Sequence, residues 1–205
     1  MSIPANLAIE PDTVDMDHVV FLHDLSWDDY ESLLRMRGDH SAPRISYLEG
    51  EVEIMSPSRT HESIKSLIGR LVETFCLEEG IRFRPLGSWT LKERPKQRGA
   101  EADECYILGD QDAERPHLAI EVVWTSGRID KLDIYRKLGV AEVWYWRKGR
   151  IQPYQLQGER YVPVTASRVL PGLDLELLQQ YLEQPTAYDA ILNYRQALRA
   201  ADVAD

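Results

Sequence analysis

The chain has 205 residues, 43% of them hydrophobic, which is enough for one good-sized core, so a single domain with short additions is expected. Its formal net charge of −10 excludes a uniformly basic nucleic-acid binder, because affinity for phosphates comes largely from basic side chains. No run approaches the ~20 apolar residues of a membrane span, and no basic-then-apolar leader opens the chain, so a soluble cytoplasmic protein with no membrane contact is expected.

Residues 1–43 read as an N-terminal arm and a short helix. The first 24 are polar and acidic (Asp12, Asp15, Asp17, Asp24) around one apolar patch, His18-Val19-Val20-Phe21-Leu22. Ser26 to Gly38 then has a serine cap, acids in the first turn, basic residues in the last and a closing glycine, the signature of a helix.

A core domain is expected over residues 44–165. Arg44–Leu48 and Glu51–Met55 form a hairpin around Glu49-Gly50, and Ser56-Pro57 ends it. From Ser58 to Glu79 the residues Ile64, Leu67, Ile68, Leu71, Val72 and Phe75 recur at helical spacing, so one stripe faces a core, and Gly80 stops the helix. His61 and Glu62 lie at the first turn, off the stripe. Glu62 there favours the helix dipole.

Arg82–Pro85 and Ser88–Glu93 read as strands. The loop from Arg94 to Ala100 is basic and holds proline and glycine, so it is expected to be mobile and exposed. Glu101 to Leu108 alternates weakly and forms the next strand, with Glu101 on the same face as Asp103, either as a surface charge at the strand entry or as a further carboxylate.

His117 to Trp124 is apolar except at its first residue and at Glu121, as in a strand buried on both faces. An ionised Glu121 there costs several kcal/mol unless a cation or strong donors accompany it. Asp103, in the preceding strand, is expected to share one cleft with it, and a pair of carboxylates suits a hard divalent cation, Mg2+ or Mn2+. Lys131, near the start of a helix capped by Ser126, swings back over the strand end. A buried carboxylate pair satisfied by an arginine is the competing reading.

Gly139 stops that helix. Ala141–Trp146 is an aromatic strand with Trp144 and Trp146 on one face and Tyr145 on the other, read as core or dimer contact, and two further strands complete a meander. Residues 166–205 form a helical extension packed on the same domain, with helices over Asp174–Glu183 and Thr186–Ala201. Cys76 and Cys105 read as buried thiols in a reducing compartment.

Charge is unevenly spread. Residues 81–100 carry a net +5 and residues 128–150 a net +4, leaving −19 for the rest. Both basic segments flank the carboxylates, so Arg94, Lys96, Arg98 and Arg128 are candidates for a phosphate-binding rim.

The motifs Tyr47-Leu48-Glu49-Gly50-Glu51, Met55-Ser56-Pro57 with His61, Ala102-Asp103, Ile120-Glu121-Val122, and Lys131…Tyr135…Gly139-Val140…Glu142-Val143-Trp144 together resemble the PD-(D/E)XK nuclease superfamily and, within it, the Uma-type restriction endonuclease family. Three positions depart from the pattern. Ala102 stands for the usual proline, Val123 for a lysine two residues after the glutamate, and Gly127 for an aspartate ahead of the helix lysine. The resemblance implies an α/β (α+β) fold, with a restriction-endonuclease-like mixed sheet flanked by helices and followed by the meander. It also implies metal-dependent hydrolysis of DNA, often by a homodimer. Asp103, Glu121 and the Val122 carbonyl would hold the metal, Lys131 would replace the missing lysine, His61 would lie near the site, and Glu51, Glu62 and Glu101 would be additional acids. The alternatives are a nuclease-fold binding or assembly module without turnover, and a metal-dependent hydrolase of another substrate.

Overall fold

The computed structural model describes residues 15–109, 112–124 and 129–202. The chain is mixed α+β with two sheets and five helices among the described residues, consistent with the restriction-endonuclease-like α/β fold expected. A five-stranded antiparallel sheet has β1 (His18–Leu22), β3 (Glu51–Ser56), β2 (Arg44–Leu48), β6 (Arg98–Glu101) and β5 (Thr90–Glu93) in that spatial order. A six-stranded sheet runs β11 (Arg160–Pro163), β10 (Arg150–Gln157), β9 (Glu142–Arg147), β8 (Leu118–Val122), β7 (Glu104–Leu108) and β4 (Phe83–Pro85). Its one parallel pair, β8 with β9, is joined by helix α3 (Lys131–Leu138). A parallel pair needs such a crossover.

Local chemistry accounts for most of these elements. Helix α1 (Trp27–Arg37) starts at a capping box in which the Ser26 and Asp29 side chains each accept from the other's backbone N–H. The β2–β3 turn is tight because Glu49 and Gly50 both take positive φ, 47° and 102°, which matches the twist of a two-residue hairpin. Helix α2 (Arg59–Glu78) is capped by Ser58, whose side chain accepts from the His61 N–H.

Two expectations are corrected here. The apolar patch at 18–22 is no free arm: it pairs with β3 over the full register His18↔Ser56 to Leu22↔Val52. The basic loop is no loop throughout, because only Arg94–Lys96 forms a 3-10 turn and Arg98–Glu101 is a buried strand between β2 and β5. A Cβ on Gly99 would run into the Tyr30 ring, so the small residues Gly99-Ala100 let this strand pass beneath α1.

The six-stranded sheet is covered on both faces. One face packs Leu118, Ile120, Trp144 and Trp146 against Ile68, Leu71, Val72 and Phe75 of α2, with Leu178 of α4 (Leu175–Gln180) and Tyr194 of α5 (Ala187–Asp202). The other packs Ala119, Val143 and Tyr145 against α3 and against Leu91 and Ala100 of the second sheet. Period-2 alternation in β8 thus puts Glu121 on the α3 side. Truncating a wholly buried aliphatic such as Ile120 costs about 2–5 kcal/mol in such a core. Among the described residues no helix is long and apolar enough to cross a membrane.

Between β6 and β7 the chain passes from one sheet to the other in two residues, Ala102 and Asp103, both wholly buried. That junction places Asp103 beside the end of β8.

Candidate functional site

Glu121, next to last in β8, has 1% of its surface exposed, and each of its carboxylate oxygens has a partner on α3. Lys131 Nζ lies 2.7 Å from Oε2, and the Tyr135 hydroxyl donates to Oε1. One helical turn separates Lys131 from Tyr135, so both reach the same carboxylate. The helix is set by its own cap: the Asp130 side chain accepts from the Asp133 N–H, which assigns the cap to Asp130, while Ser126 lies outside the described residues. Burial pushes the Glu121 carboxyl upward against the pull of Lys131. Burial would lower Lys131, but Glu121, then Asp103 and Glu53, outweigh it and hold the ammonium protonated.

Asp103 is sealed. Its Oδ2 accepts from the Val122 N–H at 2.6 Å and lies 3.0 Å from His61 Nε2. Its Oδ1 lies 2.5 Å from Arg44 Nη1 as an ion pair without hydrogen-bond alignment. Burial alone would raise this carboxyl; Arg44, then His61 and Lys131, hold it well below the usual carboxylate range. His61 is buried and pinned on its other nitrogen by Asp17 Oδ2 at 2.8 Å. Burial disfavours its charge, yet the hydrogen bonds to Asp103 and Asp17 lift it to about 9.

A cleft of about 330 Å³ opens over Glu121 and Lys131, lined also by Asp17, Glu53, Val122 and Trp124. Asp103 is not on its wall, so the expectation of Asp103 and Glu121 facing one cleft is corrected: Glu53 of β3 faces it with Glu121, and Asp103 sits behind. Glu53 is 6% exposed, its Oε2 has no hydrogen-bond partner, and burial raises its carboxyl against the pull of Lys131. Of the β3 acids, Glu51 was expected near the site and Glu53 was not. Alternation puts Glu51, Glu53 and Met55 on one face, and the discriminating signal is position: Glu53 sits mid-strand among buried residues while Glu51 is exposed beside the hairpin turn. Arg44 and Asp17 left no comparable trace.

The other predicted residues lie elsewhere. Glu51 is exposed and contacts His23. Glu62 is 42% exposed and pairs with Arg44 and with Lys65. Glu101 is neither a surface charge nor part of the cleft; it is buried and taken up by Arg37 at 2.6 Å, the Thr90 hydroxyl and the Ile45 N–H. Of the basic rim, Arg94 pairs with Asp28 and Lys96 with Glu93 on the surface. Arg98 is buried against Glu49 and Asp133, where burial takes its guanidinium away from solvent and from any phosphate. Arg128 lies outside the described residues.

The donor chemistry suits a hard divalent cation. Glu53 Oε2 is an orphaned buried carboxylate oxygen beside Glu121, and such ions are commonly held by one or two carboxylates with waters. Among the described residues no three His, Cys, Asp or Glu side chains form a ready-made cage.

A family model, Uma2, described as "Putative restriction endonuclease", matches residues 27–187, more than half of the chain, and takes in Arg44, Glu53, His61, Asp103, Glu121, Lys131 and Tyr135 but not Asp17. No curated protein matches the chain.

Proposed function

The chain belongs to the Uma2 family, and from that premise we propose that it is a metal-dependent endonuclease that hydrolyses DNA phosphodiester bonds at the cleft over Glu121. The observation that carries this reading is the single ammonium of Lys131 set 2.7 Å from Glu121 and under the fields of Asp103 and Glu53, at the floor of an open cleft.

Glu53, Glu121 and the Val122 carbonyl, with Asp103 behind them, would hold magnesium or manganese, which would supply Lewis acidity and lower the pKa of a bound water. The chain's own groups have separate tasks. Lys131, held protonated, cannot act as a base near neutrality and serves as a fixed positive charge for the scissile phosphate. Tyr135, its phenol held in the neutral form, keeps Glu121 in place by donating to it. His61 is an imidazolium at neutral pH and, with Arg44, fixes Asp103 without taking a proton from substrate. Asp103 in turn fixes the end of β8 through the Val122 N–H. The two cysteines are free and buried, which supports the cytoplasm as the working compartment.

The test is nicking of supercoiled plasmid with magnesium or manganese, beside Glu121→Ala and Lys131→Ala. Metal-dependent nicking lost in both variants supports the proposal, and direct appearance of linear product would mark a homodimer cutting both strands. Intact plasmid under both metals overturns it. The sealing of Asp103 by Arg44 and His61 favours a second reading, a binding module of the same fold without turnover. Calcium or manganese binding with no cleavage of any nucleic acid would select it.

A further inference from the structure

Resting on the nuclease reading, we propose that the cleft, at its Trp124 wall, is a seat for one unpaired nucleotide beside the carboxylates, so that the DNA it takes is single-stranded or locally unpaired.

One wall is aromatic. Trp124, two residues beyond β8, is 40% exposed although its ring is fixed edge-on against Trp146 with centroids 5.1 Å apart. Tyr145, the cross-strand neighbour of Glu121, is buried edge-on to Tyr154 at 5.5 Å, with the Arg147 guanidinium 4.8 Å over its ring. Trp124, Tyr145, Tyr154 and Arg147 line the same cleft as Glu121 and Lys131. Leaving a large ring in water has a cost, and a tryptophan braced by a second tryptophan is a rigid platform whose free surface can receive a base. Every base has a π-face, so such a seat recognises an unpaired nucleotide of any sequence.

Size and charge point the same way. The cleft, at about 330 Å³, lies at the small end of ligand clefts and admits one nucleotide, not a duplex. Among the described residues its charged lining has four acids, Asp17, Glu53, Glu121 and Asp130, against two cations, Lys131 and Arg147. That balance disfavours a continuous phosphate backbone, and of the described rim cations Arg98 is buried against Asp133 while Arg94 and Lys96 are paired with Asp28 and Glu93. Duplex binding draws most of its affinity from free cations neutralising phosphates. What this cleft offers in their place is stacking, with Arg147 and Lys131 left for the one phosphate that accompanies the base.

The experiment is equilibrium binding by fluorescence anisotropy of a labelled single strand, the same sequence as a duplex, and the duplex with a central unpaired bulge. Calcium replaces magnesium, so that binding is read without turnover. The single strand and the bulged duplex are expected to bind at least about tenfold more tightly than the duplex. Trp124→Ala should lose on the order of tenfold for the unpaired ligands only, and Trp124→Phe should restore most of it. Unfolding curves of both variants check that the fold is intact. Duplex binding equal to or tighter than single-strand binding, an unchanged Trp124→Ala, or no binding of any of the three DNAs overturns the proposal. Plasmid nicking with no Trp124 effect would sink this inference and leave the nuclease standing. Trp124-dependent single-strand binding without cleavage under any metal would do the reverse.

Discussion

Asp17 and His61, 44 residues apart in the chain, meet at 2.8 Å, where the carboxylate of the segment entering β1 holds Nδ1 of an imidazole whose Nε2 faces Asp103. The other oxygen of Asp17 accepts from the Ser58 N–H at 2.8 Å, so the same side chain also closes the N-terminus of α2. Asp15 does likewise for the N–H groups of Arg59 and Thr60. The acidic entry segment is therefore a clamp on α2 and, through His61, a support for the site.

Asp17→Ala is expected to lower the free energy of unfolding by about 1–3 kcal/mol, the cost of leaving a buried donor without its acceptor. Urea denaturation measures this. Combined with His61→Ala, the loss should be smaller than the sum of the two single losses, because both act through one network. Strict additivity would mean the contact carries no energy of its own.

Lys131→Met leaves Glu121 buried with only the Tyr135 hydroxyl and is expected to cost about 3–5 kcal/mol. Adding Glu121→Gln should recover a large part of that loss, since an amide needs no counter-charge. Thermal or chemical unfolding of the two single variants and the double variant closes the cycle. A double variant as unstable as the sum of the singles would show that Lys131 is not the neutralising partner.

Glu53→Gln removes the charge of a buried carboxylate whose Oε2 has no hydrogen-bond partner. The metal-free protein should be as stable as the parent or more stable, while affinity for manganese, read by titration calorimetry, should fall about tenfold or more, as expected when a charged donor to a hard cation is lost. Unchanged manganese affinity would remove Glu53 from the site.

Arg98 and Arg94 were both expected on a phosphate-binding rim, yet they should separate cleanly. Arg98→Ala, buried against Asp133 and Glu49, is expected to cost about 1–3 kcal/mol by emptying a buried site and taking from Asp133 one of its two guanidinium partners, Arg136 remaining. Arg94→Ala, paired with Asp28 in solvent, should fall within about 0.5 kcal/mol of the parent. Equal effects would contradict this placement of the two side chains.

Glu78 links α2 to α5 by accepting from Arg199 at 2.6 Å and from Arg195. Those hydrogen bonds, Arg199's first, hold its carboxyl below its ordinary 4.5. A depressed folded-state value means the stabilisation is present above about pH 4.5 and disappears as the pH falls through the lower value. In Glu78→Gln the melting temperature should therefore depend less steeply on pH on the acid side of 4.5, with little change in slope near neutrality. An identical acid limb would exclude the linkage.

The sequence by itself determined the elements whose signals are local. The Ser26 and Ser58 caps, the α2 stripe of Ile68, Leu71, Val72 and Phe75, the Glu49-Gly50 hairpin and the aromatic strand at 142–147 all depend on periodicity or turn chemistry within a few residues. The burial of Glu121 was legible for the same reason, as one acid inside an apolar strand. Tertiary structure alone decided what else stands around that acid and its lysine. Asp17 and Arg44 come from separate segments, and nothing in their own neighbourhoods marks them, because a charged side chain is chosen as a partner by distance after packing. Glu53 carried only the hint of an acid among the buried residues of β3. The stretch at 98–101 shows the same limit. Its arginine, glycine and nearby proline read as a loop, yet β2 and β5 supply the backbone partners, and the Tyr30 ring above leaves room at position 99 only for a residue without a side chain. A strand's hydrogen bonds lie on other strands, so its burial is fixed by what folds beside it.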